Sequence, residues 1–396
     1  MEKRKWSFKK ILLLLVTYVI VGCFASAMTL MFIVPSMLSP ESRKLQEVLD
    51  AIDEKYIGDA DQKMLTDTAA AAIVAATGDP WSYYIPADMM SDYENSHANA
   101  YVGIGVTIQN MQDGSGFRVE RLEPNGPAIK AGLMPGDVIV GVNGENIKEI
   151  GVNAASEKIR GEEGTKVKIS VLRGEETLEF EITRERIESQ VVSGSMIADN
   201  VGYIKINNFN DRCSDEFIAQ YEKLEKEGAK AFVFDVRGNP GGYVHELVAV
   251  LDYLLPEGVL FRSEDYQGIV SEETSDADCK KAPMTVLMNG DSYSAAEFFA
   301  AALTEYDYGV TVGDPTTGKG RFQQTIYLSD GSAINLSVGK YTTPNGVDLS
   351  EVGGLKPAIP VEITEEKLNA FYSGLLTPEE DPQLQAALKA VQEKLP

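Results

Sequence analysis

Lys230 to Gly242 reads KAFVFDVRGNPGG. Its first half is a short apolar run of β-branched and aromatic residues closed by Asp235, the pattern of a strand. Its second half is a glycine-rich turn whose free N–H groups could hold an anion. Working outward, Val201 to Asn207 and Met284 to Met288 read as further strands. Helical patterns run through Phe217 to Leu224, from His245, and from Ser294. Strands alternating with helices predict an α/β core. Periodicity alone leaves a doubly wound sheet open beside other α/β arrangements.

Two segments near this core carry chemistry. Asn289 to Glu297 is NGDSYSAAE and Thr317 to Gln323 is TGKGRFQ. A serine hydroxyl attacks a carbonyl only when a base takes its proton, and a neutral lysine can be that base once its pKa, near ~10.4 when free, is brought down. Ser294 and Lys319 would supply such a pair, with Gln323 four residues on to hold the amine. The only histidines, His97 and His245, sit in no nucleophile-like context. SAAE is also a capping box, in which Ser294 opens a helix and Glu297 reaches back to its N–H; both roles fit one helix N-terminus. GDPTTGKG, Gly313 to Gly320, matches a phosphate-binding loop except that Gly320 replaces the Ser or Thr that ligates magnesium, and a strand-like segment follows. ATP binding is not expected.

Taken together, VGYIKINNF at Val201, VRGNPGG, NGDSYSAAE and GKGRFQ, with the 25-residue step from Ser294 to Lys319, resemble the carboxy-terminal processing (tail-specific) proteases over about residues 45–361. The resemblance implies Ser294 as nucleophile, Lys319 as general base and Gln323 as the residue orienting it. It implies an oxyanion hole from the backbone of Ala295 and of Gly241 or Gly242, and no cofactor or metal. It also implies a ClpP/crotonase-like α/β core. Tyr293 and Ala296 depart from the small and hydroxyl residues usual beside the family nucleophile. Ser292 is a second hydroxyl, so the choice of Ser294 rests on the spacing to Lys319.

Ahead of the core, YVGIGV at Tyr101 and GPAIKAGLMPGDVIVGVNG at Gly126 resemble a PDZ domain, a partly open β-barrel with helices. Such a domain adds a peptide as a strand and captures its terminal carboxylate in a glycine loop, here Gly103, Ile104 and Gly105. Arg160 either couples this module to the active site or is a solvated surface residue.

The chain has 396 residues, beyond the ~250–300 at which one core stops growing, so several folded units are expected. Sixty acidic against 36 basic residues give a net charge of −24, which disfavours nucleic acid. Five basic residues in the first ten precede an uncharged, mostly apolar run from Ile11 to Val34. At 1.5 Å rise per residue that run can cross a ~30 Å hydrocarbon core, with the remainder outside the cytoplasm. Ala25 to Ala27 offers a competing signal-peptide cleavage site. Cys213 and Cys279 form one disulfide or stay free, and no Cys/His cluster has metal-ligand spacing.

The expected organisation is a basic segment 1–10, a transmembrane anchor 11–34, a helical region 42–98, a PDZ module 99–187, a serine-protease core 188–370 and a helical tail 371–396. The function this predicts is a single-pass, extracytoplasmic endopeptidase of a bacterial-type cell membrane that binds protein C-termini and cuts near the tail. The resemblance also admits a homodimer. A catalytically silent PDZ scaffold is the alternative, and an enzyme acting on acyl thioesters is suggested by fold analogy only.

Overall fold

A computed structural model describes residues 8–28, 39–111 and 113–395. The chain divides into two compact units, residues 1–77 and 78–396. Among the described residues the first holds the helices Phe8–Met28, Pro40–Lys55 and Gln62–Ala75. The latter two carry side-chain N-caps: Ser39 Oγ accepts from the Ser42 N–H and Asp61 from the Met64 N–H, at 3.2 and 3.1 Å. Of the anchor expected over 11–34, residues 29–34 lie outside the described residues. Among the described residues no helix is long and apolar enough to cross a membrane.

In the second unit the core sheet has six strands in chain order. Val192–Ala198 is antiparallel to Val201–Ile206, and Ala231–Asp235, Met284–Met288, Gly309–Gly313 and Ile359–Pro360 follow in parallel. The KAFVFD run lies at its centre, and successive side chains go to opposite faces. Phe232 and Phe234 pack with Phe217, Tyr221, Leu247 and Phe299 of the crossover helices Cys213–Lys226, Val244–Leu254 and Ala295–Glu305. Ala231 and Val233 pack on the other face with Leu384, Ala387, Leu388 and Val391 of the C-terminal helix Pro382–Gln392. Both faces are therefore dry, which explains an apolar run without alternation.

A second sheet is built around Ala333–Thr342, flanked by Tyr83–Ile85, Arg321–Tyr327 and the hairpin Gly258–Asp265 with Val270–Ser275. The strand after Lys319 is thus a strand, as its composition predicts.

The PDZ-like module is a separate sheet, Val106–Asn110, Phe117–Leu122, Val138–Val142, Lys166–Arg173 and Glu176–Thr183, with its own core around Ile104, Phe117, Ile139, Val167 and Ile169. Chain entry and exit pair with each other, Ala100–Gly103 against Glu185–Glu188, the geometry of an inserted domain. Arg212 ties this base to the core: its guanidinium donates to the carbonyls of Ala98, Asn99 and Ser189. Cys213 is buried and Cys279 half-buried, and neither is in a disulfide.

Candidate active site

The strands Ala231–Asp235 and Met284–Met288 are parallel neighbours, so their carboxyl ends open at one edge, where α/β folds place their sites. The turns that follow are stitched together. Ser292 Oγ, fully buried, donates to the Val236 carbonyl at 2.7 Å, and the Gly238 N–H donates to Asn289 Oδ1 at 2.9 Å. The Tyr293 N–H donates to the Asn239 carbonyl at 3.1 Å. Ser292 is thereby committed to holding the two turns together.

Ser294 is only half-buried and has φ +58° and ψ −126°, a conformation costly for any residue but glycine. A sharp strand-to-helix bend of this kind pushes a side chain out of the turn. The capping box is present, and the Glu297 carboxylate accepts from the Ser294 N–H at 2.9 Å. Glu297 does more than cap. Fully buried, it also accepts from the N–H groups of Gly318 and Lys319, at 2.7 and 2.8 Å, and from the Thr316 hydroxyl. One carboxylate thus joins the serine turn to the lysine loop. The sequence shows SAAE as a cap; the second task depends on a loop 21 residues on and has no local signal.

The glycines of TGKG are packing devices. A Cβ on Gly318, φ +88°, would stand 2.8 Å from the Gly354 nitrogen, and one on Gly320 would stand 2.6 Å from Asp348 Oδ1. Lys319 Nζ lies 4.7 Å from the Trp81 ring centre and 5.6 Å from that of Tyr293. Burial pushes its pKa down to about 8, against the opposing charges of Asp79 and Glu297.

Gly241 abuts the serine: a Cβ there would stand 2.7 Å from the Ser294 Cβ. Its N–H, however, donates to Asn239 Oδ1 at 2.8 Å. Among the described residues the N–H groups of Gly242 and Ala295 have no hydrogen-bond partner. Gly242 is fixed by close approach, since a Cβ would stand 2.3 Å from the Phe209 carbonyl carbon.

Ser294, Lys319, Gln323, Gly241 and Gly242 line one cleft of about 690 Å³, together with Trp81, Tyr93, Tyr243 and Phe322. Gln323 is there, but its amide donates to the Arg321 carbonyl and to Ser337 Oγ, at 3.2 and 3.0 Å, rather than to Lys319. A second cleft, about 780 Å³, is lined by Gly103, Ile104, Gly105, Arg121 and Arg160 at the PDZ-like module. His97 reaches the first cleft, held by its Nδ1 on the Tyr93 carbonyl at 2.9 Å. Asp211, His245 and Glu246 bring ligand atoms within 4.8 Å of one another, a grouping invisible in the sequence spacing. Both Glu246 oxygens already accept backbone N–H groups, from Arg212 at 3.0 Å and Ser214 at 2.7 Å.

Peptidase family S41 matches residues 200–361 and a PDZ domain matches residues 98–172. The carboxy-terminal processing protease CtpA of Bacillus subtilis (strain 168) is 32% identical over 326 residues, 81% of this chain and 69% of that protein. The chain belongs to peptidase family S41. A second relative, the carboxy-terminal processing protease CtpB of the same organism, is 32% identical over 81% of this chain and 67% of its own length. A solved Bacteroides fragilis NCTC 9343 structure assigned to the S41 proteases superposes with a TM-score of 0.51, at 19% identity, over 78% of this chain and 91% of that one. This S41 member is therefore a serine-type peptidase with a PDZ domain, and its sheet continues past the matched segment to Thr183.

Proposed function

We propose that this S41 peptidase is a membrane-anchored, extracytoplasmic endopeptidase that takes protein C-termini on its PDZ domain and cleaves near the tail with Ser294 and Lys319. The observation that carries the reading is the cleft itself: a strained serine at a helix N-terminus and an amine brought down to about 8 line one space with Gly242, whose N–H is unused, and the unused N–H of Ala295 is next along the chain from that serine. Neutral Lys319 accepts the Ser294 proton as Oγ attacks the scissile carbonyl carbon, and the oxyanion is held by the two N–H groups. The lysine returns that proton to the leaving amine. Water, activated in the same way, then attacks the acyl ester and frees the new carboxylate. Gln323, whose NH₂ donates to Arg321 and Ser337, keeps its Oε1 as the acceptor it would offer the amine during the reaction.

The Gly103–Gly105 loop lines the second cleft beside Arg121 and Arg160, which suits a terminal carboxylate. Anchoring is supported by the apolar run behind five basic residues and by Leu13, Val19, Ile20 and Phe24, each more than 60% exposed on the first helix. Apolar side chains on every face of a helix require a non-aqueous surrounding. The decisive test is to incubate the full chain in detergent with an unstructured protein ending in apolar residues and to weigh the fragments. Cuts near the C-terminus support the peptidase, and binding without fragments supports the silent scaffold.

Two further results are expected. Because only the neutral amine is a base, kcat/KM should rise with pH through a midpoint near the Lys319 value of about 8. A profile flat across that value would exclude Lys319 as the base. Gly242→Ala, with φ +151° and a Cβ 2.3 Å from Phe209, must displace the turn and is expected to lower kcat by roughly 10²–10³. Unchanged turnover would remove Gly242 from the oxyanion hole.

A further inference from the structure

Lys319 Nζ has no hydrogen-bond partner among the described residues and meets two aromatic faces instead, Trp81 at 4.7 Å and Tyr293 at 5.6 Å. The two rings stand 5.6 Å apart, tilted by 33°. Tyr293 belongs to the serine turn, but Trp81 comes from a segment far upstream of residues 200–361, the part matched by the family. That segment is held firmly. The Asp79 carboxylate accepts from the Trp81 N–H at 3.3 Å and the Ser82 hydroxyl at 2.5 Å, and Ser82 Oγ accepts from the Ser337 N–H at 2.9 Å. Tyr83–Ile85 then pairs with Ala333–Asn335 on the edge of the second sheet.

We propose that Trp81 is a positioning residue for the cleavage reaction, its indole shielding Lys319 from water and holding the amine in the cleft, so that the Asp79–Ile85 segment completes the active site. The proposal rests on Lys319 being the general base. Two effects of the indole oppose each other. A ring face favours the ammonium by about 0.5–2 kcal/mol, whereas exclusion of water favours the neutral amine. Burial brings the amine down to about 8 although Asp79 and Glu297 both act to raise it, and the indole is part of the wall that buries it. The remaining charged neighbour on the following strand, Arg321, lies 3.9 Å from Asp79. Across the cleft stand Tyr93, Glu94 and His97. Burial raises the Tyr83 phenol to about 12 and also raises Tyr293, so neither phenol ionises where Lys319 does.

The test is the pH profile of kcat/KM for the full chain and for Trp81→Ala and Trp81→Phe. Opening Lys319 to water should move the rising limb of Trp81→Ala up by about one pH unit, lowering activity near neutrality about tenfold while the high-pH plateau recovers. Trp81→Phe should keep the limb close to its original place. A Trp81→Ala protein that is less active by the same factor at every pH would overturn the inference, since a structural defect does not move a limb. If that variant fails to fold, Trp81→Gln, which keeps more side chain than alanine and puts a polar group beside the amine, carries the same comparison: an upward limb supports the proposal and an unmoved one overturns it. An unaltered protein with no limb near 8, or a fully active Lys319→Ala, would instead defeat the general-base reading itself.

Discussion

Ser294→Ala should abolish cleavage, by roughly 10⁴–10⁶ in kcat, while the protein stays folded. The substitution removes the proposed nucleophile and one half of a capping box, so about 1 kcal/mol of stability goes with it. Ser292→Ala is the necessary partner experiment. Its hydroxyl is fully buried, donates to the Val236 carbonyl and accepts from the Asn289 N–H, at 2.7 and 3.0 Å. Removing it leaves buried groups unpaired and should cost about 1–3 kcal/mol, with turnover retained in the folded fraction. Kinetics on one substrate, with urea unfolding of each variant, separate the two serines. The assignment fails if Ser292→Ala is the inactive protein and Ser294→Ala the working one.

The largest expected loss of stability follows from Arg237. Its guanidinium, 2% exposed, bonds Asp235 at 2.6 Å, Asp381 at 2.8 Å and Gln383 Oε1 at 3.1 Å, beneath the Phe371 ring. Tyr203 completes the network by donating to Asp235 at 2.7 Å. Burial alone would raise the Asp235 carboxyl, but the charge and hydrogen bonds of Arg237 overcome it and hold the group below its ordinary value. Arg237→Ala leaves two buried carboxylates with no counter-charge and should destabilise the protein by about 3–5 kcal/mol. Because Asp381 and Gln383 begin the C-terminal helix and Arg237 begins the glycine turn, activity should fall with stability. A change in urea midpoint equivalent to less than about 1 kcal/mol would show that the network does not hold the turn.

Much of this architecture can be read locally. KAFVFD declares a strand, and the helix opened by Ser294 carries its own cap. The inserted module is legible because its turns demand glycine at particular places, as at Gly132 and Gly136, with φ +98° and +91°. What escapes is whatever depends on contacts across the chain. Nothing near Asp79 announces that Trp81 will face Lys319, because that meeting requires Tyr83–Ile85 to pair with a strand some 250 residues later. Glu297 reads as a cap until the lysine loop folds onto it. Arg237 shows no partner beyond Asp235, since Asp381 and Gln383 arrive with the last helix. The choice of Gly242 over Gly241 turned on one side-chain acceptor, Asn239 Oδ1, which periodicity cannot reveal.

The central claim is that one amine, Lys319, is the base for Ser294. It is tested most directly by cleavage of an unstructured, apolar-tailed substrate by the full chain and by Lys319→Ala, followed by mass spectrometry at neutral pH and again above the amine's pKa of about 8. The account predicts fragments cut near the tail from the unaltered protein, faster at the higher pH, and none from Lys319→Ala at either. Cleavage by Lys319→Ala at the unaltered rate would contradict it.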